Sequence, residues 1–125
     1  DTPLRGVDID MAEISDLVPT LAIVAMFAET STRIRGVGFI RNKESDRIGD
    51  LANEMRKLGA NVVEHPDGLE ITPQSLHAGR CDTHHDHRLA MAFGVAGLKQ
   101  PGVIIDQPQV VSKSWPDFWQ MIEAL

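Results

Sequence analysis

The sequence contains several side chains suited to proton transfer and to binding anions. Asp16 stands alone, whereas Lys43, Glu44 and Arg47 are grouped in the run RNKESDR at 41–47. A carboxylate beside a lysine can form a proton-transfer pair. An arginine can hold a phosphate or carboxylate through two parallel hydrogen bonds. Glu44 and Arg47 are three residues apart at the start of a predicted helix, so we expect them to share one of its faces. The alternative is a solvated helix start with a local ion pair.

A second polar run, HHDHR at 84–88, permits three interpretations. It contains the ligand types of a zinc site, namely His84, His85, Asp86 and His87. It is one residue short of a zinc-hydrolase pattern, because Asp82 stands where a first histidine belongs. It could instead bind an anion through Arg88 and His87, at the start of a helix capped by Asp86. The third interpretation is a polar capping loop without a ligand.

A comparison of the two halves of the chain adds Lys113 to these candidates. When the sequence is shifted by 70 residues, Asp16 aligns with Asp86 and Lys43 aligns with Lys113. This register predicts an internal duplication, with units at roughly 1–75 and 76–125. If the units are related by an approximate rotation, the paired aspartates and lysines would converge near one axis.

Strands and helices must position these side chains, and the sequence predicts the same order of elements in each half. In the first half we expect strands at 4–9 and 32–37, a helix capped by Asp16, an amphipathic helix at 44–58 stopped by Gly59, and a hairpin of 61–64 and 69–72 joined by HPDG. In the second half we expect a strand at 81–83, a helix capped by Asp86, a strand at 103–106, and a last helix after a capping box of Ser114 and Asp117. The sequence therefore predicts an α/β fold of two similar units, the second lacking its hairpin.

Composition restricts the class of protein further. The chain has 125 residues, enough for one domain, and its 12 basic and 18 acidic residues give a net charge of −6. An acidic chain with few aromatic residues is a poor binder of nucleic acid. The sequence has no apolar run long enough for a membrane span. Its single cysteine, Cys81, cannot form an internal disulfide, so we expect the reducing cytoplasm.

Three motifs together resemble the family of 3-phosphoshikimate 1-carboxyvinyltransferases, also called EPSP synthases. They are RNKESDRI at 41–48, HDHRLAM at 85–91 and KSWPDF at 113–118, and DMAEISDLVPT at 10–20 resembles the approach to the first. One departure is Asp50, where the family usually has a small residue. The family's enzymes are several times longer than this chain. The resemblance therefore implies a C-terminal portion, about two βαβαββ units in one lobe of an inside-out α/β barrel.

The reaction that the resemblance implies is transfer of enolpyruvyl from phosphoenolpyruvate to the 5-hydroxyl of shikimate 3-phosphate, with release of phosphate. It requires neither a metal nor an organic cofactor, and it is the reaction that glyphosate inhibits. Asp16 would bind and deprotonate the hydroxyl, Lys43 would contact the same hydroxyl, and Glu44 would exchange a proton at the methylene carbon. Phosphoenolpyruvate itself would be bound by Arg47, Arg88 and Lys113. His87 would lie close by as a proton partner.

The resemblance also implies that the site is shared with an N-terminal lobe that this sequence lacks. We therefore expect the isolated chain to be inactive. The family is usually monomeric, but the missing unit would expose an apolar edge on which this chain could self-associate. Two alternatives remain open: a non-catalytic anion-binding or structural module, and the zinc-dependent hydrolase built on the histidine run.

Overall fold

The computed structural model describes residues 4–43, 45–106, 109 and 118–123. The strands are β1 (Asp8–Asp10), β2 (Thr32–Arg35), β3 (Asn61–His65), β4 (Gly68–Thr72), β5 (Gly79–Asp82) and β6 (Val103–Asp106). The α-helices are α1 (Val18–Ala25), α2 (Gly49–Lys57), α3 (His87–Lys99) and α4 (Phe118–Glu123), with 3₁₀ turns at Ala12–Leu17 and Gly38–Asn42. The predicted mixed α/β class is confirmed, and none of the helices in these residues is long and apolar enough to cross a membrane.

The strands form two sheets, one in each half of the chain. The first sheet has the order β1-β2-β4-β3, in which β1 and β2 are parallel while β4 is antiparallel to both β2 and β3. The second sheet consists of the parallel pair β5 and β6. A helix connects each parallel pair, as parallel strands require. The first half thus has the order βαβαββ and the second the order βαβα, although their origin by duplication stays a prediction.

Both halves contribute to one apolar core. Many of its largest fully buried side chains come from α1, α2, α3 and the first sheet, among them Ile23, Ile34, Leu51, Met55, Leu69 and Phe93. Helices α1 and α3 pack directly against each other. Burial of each such side chain is worth about 1.5–3 kcal/mol. The shared core fixes the start of α3 relative to the loop that precedes α2.

Two of the predicted helix starts are wrong, and side-chain hydrogen bonds explain why. Helix α2 begins at Gly49 rather than at residue 44, because the carboxylate of Asp46 accepts hydrogen bonds from the amides of Ile48 and Gly49. Asp16 does not cap α1, which begins at Val18 without a side-chain cap. Asp16 lies in the preceding 3₁₀ turn, and its carboxylate binds an arginine instead.

Other predicted boundaries are confirmed. Asp86 caps α3, since its carboxylate accepts a hydrogen bond of 2.9 Å from the amide of Arg88. Gly59 follows α2 with φ of +88°, a conformation that favours glycine. The hairpin of β3 and β4 turns at Pro66 and Asp67, within the HPDG run. The proposed capping box of Ser114 and Asp117 lies outside the described residues.

Candidate functional site

A buried ion pair joins the loop before α2 to the start of α3. The side chain of Arg47 is only 2% exposed, and that of Asp86 is fully buried. Arg47 Nε donates to Asp86 Oδ2 at 2.7 Å, and Nη2 donates to Oδ1 at 3.1 Å. Two parallel bonds of this kind fix the plane of the guanidinium as well as its position. The pair therefore links the two halves of the chain at a defined geometry.

Asp86 has further hydrogen-bond donors besides Arg47. The hydroxyl of Ser45 donates to Oδ2 at 2.8 Å, and the amide of Arg88 donates to Oδ1. Burial by itself would raise the pKa of Asp86, but the hydrogen bonds from Arg47 and Ser45 outweigh it and lower the pKa below the ordinary aspartate value. Asp86 is therefore ionised at neutral pH, although water does not reach it.

Two guanidinium groups converge on the carboxylate of Asp16. Arg47 Nη1 donates to Asp16 Oδ1 at 3.2 Å, and Arg88 Nη2 lies 3.6 Å from Asp16 Oδ2. The carboxylate of Asp16 is 58% exposed and the side chain of Arg88 is 37% exposed, in contrast to the buried Arg47. The arrangement is a solvent-accessible position for a carboxylate between two arginines.

The structure places the other predicted site residues as follows. Lys43 follows the second 3₁₀ turn at the surface, with Nζ 5.8 Å from the centre of the Phe39 ring, within reach of a weak cation–π contact. His87 is half-buried as the first residue of α3, between Asp86 and Arg88. Glu44 and Lys113 lie outside the described residues.

The prediction that Glu44 and Arg47 share one helix face is wrong, because Arg47 does not lie in a helix. Helix α2 begins only at Gly49, so Arg47 lies in the turn before it. The position of Arg47 is set instead by Asp86 and Asp16, and by its own amide, which donates to the carbonyl of Ile40. The arginine reaches the site because the chain turns there, without the help of helical periodicity.

The histidine run does not form a zinc site among the described residues. His84 binds Glu54, with 2.9 Å between Nε2 and Oε2, and its backbone and that of His85 are left-handed, with φ of 52° and 58°. Glu54 is nearly fully buried and also accepts from the amide of Asp82 and from Lys57. In the part of the chain described, no three His, Cys, Asp or Glu side chains are placed to hold a metal ion. The geometry gives the zinc alternative no support.

The sequence analysis missed the partnership between Asp86 and Arg47, together with Ser45. No spacing rule links them, because Arg47 and Asp86 are 39 residues apart in the chain. The one available signal was the register that aligns Asp16 with Asp86. Both aspartates bind Arg47 in the structure, but the expected convergence of the paired residues near one axis stays a prediction, because Lys113 lies outside the described residues.

Comparison with solved structures places this fold among the enolpyruvyl transferases. An EPSP synthase from Acinetobacter baumannii superposes with a TM-score of 0.90 at 30% identity, covering 98% of this chain and 30% of that one. The enolpyruvyl transferase NikO from Streptomyces tendae gives a TM-score of 0.79 at 24% identity, covering 99% of this chain and 28% of that one. The latter similarity shows the fold alone.

Sequence comparison identifies the particular family. The model of the EPSP synthase family, 3-phosphoshikimate 1-carboxyvinyltransferase, matches residues 1–122. The chain is 50% identical to proteins of that name from Nostoc punctiforme and Syntrophobacter fumaroxidans, covering 96% and 98% of this chain and 29% of each relative. The chain belongs to the EPSP synthase family, a family of transferases, as its motifs indicate. It spans less than a third of the length of these relatives.

Proposed function

We propose that this chain is part of an enzyme that transfers enolpyruvyl from phosphoenolpyruvate to the 5-hydroxyl of shikimate 3-phosphate, with release of phosphate. The observation that carries the proposal is the position of the Asp16 carboxylate between the guanidinium groups of Arg47 and Arg88. A carboxylate of the substrate has the same charge and shape. Phosphoenolpyruvate would therefore bind these two arginines in place of Asp16.

Local positive charge is needed because the whole chain carries a net charge of −6, which would repel a multiply charged anion. Arg47 is held out of water, where its attraction for an anion is screened less than at the surface. Arg88, which is partly exposed, supplies a second guanidinium at the entrance. Lys113 would add a third cation to bind phosphoenolpyruvate.

Displacement of Asp16 by the substrate would free a carboxylate next to the reacting groups. We propose that Asp16 then binds the 5-hydroxyl of shikimate 3-phosphate and accepts its proton, while Lys43 stabilises the alkoxide that develops. Glu44 would exchange the proton at the methylene carbon of the enol, and His87 would serve as a nearby proton partner. These roles need no metal and no organic cofactor.

The rest of the enzyme would complete the site. The chain spans about 29% of the length of its relatives, and we propose that the remaining part binds most of shikimate 3-phosphate. The isolated 125 residues would then turn over no substrate. Closure of the two parts would exclude water from the reacting groups. We assign the complete enzyme to the cytoplasm and to the shikimate pathway.

Substitution of Arg88 tests the proposal, because this partly exposed side chain can be removed without emptying the core. In the complete enzyme, Arg88→Ala should raise the KM for phosphoenolpyruvate about 10- to 100-fold, as expected when one charge-assisted interaction worth about 1.5–3 kcal/mol is lost. Arg33→Ala is the matched control, since Arg33 pairs with Asp67 away from the site. The KM for phosphoenolpyruvate of both variants is measured from the steady-state rate of phosphate release.

An unchanged KM for phosphoenolpyruvate in Arg88→Ala would contradict the assignment of this arginine pair. If the complete protein bound phosphoenolpyruvate but never released phosphate in the presence of shikimate 3-phosphate, the alternative of a non-catalytic anion-binding module would replace the transferase. Phosphate release by the purified chain alone would contradict the claim that it is inactive without the rest of the enzyme.

A further inference from the structure

We propose that Asp86 is a positioning residue for the transferase reaction, which holds Arg47 in the orientation that binds phosphoenolpyruvate. The inference rests on the proposed function, because it takes Arg47 as part of the substrate site. The sequence predicted that Asp86 caps a helix, binds zinc or lies near Asp16, but it did not predict a contact with Arg47. Asp86 would act through Arg47 and would not touch the substrate.

The geometry of the pair gives Asp86 control over the direction of the guanidinium. Both carboxylate oxygens of Asp86 accept from Arg47, one from Nε and one from Nη2. This pairing turns Nη1 towards the exposed position that Asp16 now occupies. A single hydrogen bond would allow the guanidinium to rotate, whereas two fix its plane.

Among the described residues, two carboxylates bind Arg47, and their different access to water indicates which of them a substrate would replace. Asp86 is fully buried, whereas the carboxylate of Asp16 is 58% exposed. An exposed ion pair is weak, but separating a buried charge from its partner is costly. An incoming anion would therefore exchange with Asp16 and leave the bond between Asp86 and Arg47 intact.

Asp86 is itself held firmly enough to act as a fixed reference. Ser45 donates to Oδ2, and the backbone amide of Arg88 donates to Oδ1 at the first turn of α3. The same carboxylate thus contacts the side chain of Arg47 and the backbone of Arg88. It sets the distance between the two arginines between which phosphoenolpyruvate would bind.

Asp86→Asn tests the proposal in the complete enzyme. Asparagine keeps the volume and an oxygen that can cap α3, but it cannot accept from both nitrogens of Arg47. The KM for phosphoenolpyruvate should rise about tenfold or more, while the KM for shikimate 3-phosphate should change less than about twofold. Asp67→Asn is a matched control, because Asp67 also binds an arginine, Arg33, and a backbone amide, that of Gly36. It should leave both constants unchanged.

A double-mutant cycle separates positioning from mere stabilisation of the fold. If Asp86 acts through Arg47, the double variant R47M/D86N should have a KM for phosphoenolpyruvate no higher than R47M alone. The proposal would be overturned if the KM for phosphoenolpyruvate in the double variant rose by the product of the two single effects. It would also be overturned if D86N raised the KM for phosphoenolpyruvate and the KM for shikimate 3-phosphate equally. The double variant also removes both buried charges together, so it should fold even where R47M does not.

Ser45→Ala provides an independent variant if D86N does not fold. Loss of the bond from Ser45 to Asp86 should raise the KM for phosphoenolpyruvate several-fold, and no change would count against the proposal.

Arg88→Ala distinguishes failure of the proposed function from failure of the positioning role of Asp86. If R88A has no effect on the KM for phosphoenolpyruvate, the proposed function fails. If R88A raises it and D86N does not, only the positioning role of Asp86 fails.

Discussion

Asp86 and Asp16 show how differently two carboxylates on one arginine can be placed. Asp86 is sealed from water and has a lowered pKa because Arg47 and Ser45 bind it, although burial opposes this. Asp16, bound to the same guanidinium, lies largely in solvent. The charge of Asp86 is buried within the fold, whereas the charge of Asp16 is accessible to solvent, as the proposed exchange with a ligand of like charge requires.

Acid should therefore weaken the fold through Asp86. A lowered native pKa means that ionised Asp86 stabilises the folded state above the ordinary aspartate pKa of about 3.9, and this contribution is lost as the pH falls through the lowered native value. At pH 7, D86N should have a free energy of unfolding about 3 kcal/mol smaller than wild type. Below pH 3.9 the difference should shrink steadily, as urea unfolding across this pH range would measure.

A difference between wild type and D86N that stayed constant down to the lowest pH would contradict this assignment. Asp67→Asn again serves as the comparison. The pKa of Asp67 is also lowered, mainly by the hydrogen bond from the amide of Gly36, but its side chain is half-exposed. Solvent screening should leave only a small pH-dependent difference in that variant.

The sequence selected three candidate side chains that lie together in the structure, but it did not predict their contacts. Residue types and the family motifs were enough to select Asp16, Arg47 and Arg88, which the structure brings together. The bond from Arg47 to Asp86 could not be predicted, because it depends on how two helices pack through a shared core. Side-chain pairs that are distant in sequence leave no periodic pattern.

At the scale of elements, the interiors of the helices were predictable, whereas the starts of α1 and α2 were not. Leu51, Met55 and Leu58 gave α2 its apolar stripe, and all three are buried. The start of α2 depended on Asp46, one of several polar residues in 41–47 that could have served as a cap. Asp16 failed as a cap because an arginine distant in the sequence competes for its carboxylate.

Two glycines should respond in opposite directions to substitution by alanine. A Cβ at Gly68 would collide with the backbone carbonyl of Ile34, where β4 lies against β2, and backbone cannot move aside cheaply. We expect Gly68→Ala to lose about 2 kcal/mol or more of folding free energy. Gly97 is exposed within α3, and the nearest atom to its Cβ would be 4.0 Å away.

Gly97→Ala should therefore stabilise the protein by about 0.5–1 kcal/mol, because alanine favours the helix and restricts the unfolded chain. Thermal unfolding of the two variants beside wild type gives the measurement. If Gly68→Ala unfolded at the temperature of wild type, the close approach of β2 and β4 would be refuted. If Gly97→Ala lowered the melting temperature, α3 would not be regular at that position.

At the scale of the whole molecule, several large apolar side chains are exposed among the described residues, and two of them, Leu4 and Leu98, line the same groove. A groove along α1 and α3 is lined by Leu4, Ile23, Phe27, Val95 and Leu98. Leu17 at the end of the first 3₁₀ turn is also exposed. Contiguous apolar surface of this kind usually marks a contact with another polypeptide. Under the proposed function, the remaining part of the enzyme would cover this groove, since this chain spans about 29% of the length of its relatives.

Without that part, the isolated chain should self-associate through this groove. We expect its sedimentation coefficient to rise with concentration, and Leu98→Glu to keep it monomeric by placing a charge in the groove. Val63→Glu is the control, because Val63 is equally exposed but lies on β3 in the first sheet. Monomeric behaviour of the wild-type chain at every concentration would contradict the prediction, and so would an equal effect of the two variants.

The span of 39 residues between Arg47 and Asp86 also has a consequence for biosynthesis. During translation Arg47 leaves the ribosome before Asp86, its buried counter-ion. Until the segment that carries Asp86 emerges, Arg47 lacks its fully buried counter-ion, so burying its guanidinium is costly. The nascent first half should therefore stay loosely collapsed and become compact only when α3 arrives. In this way the ion pair between the two halves would also set the order in which the polypeptide matures.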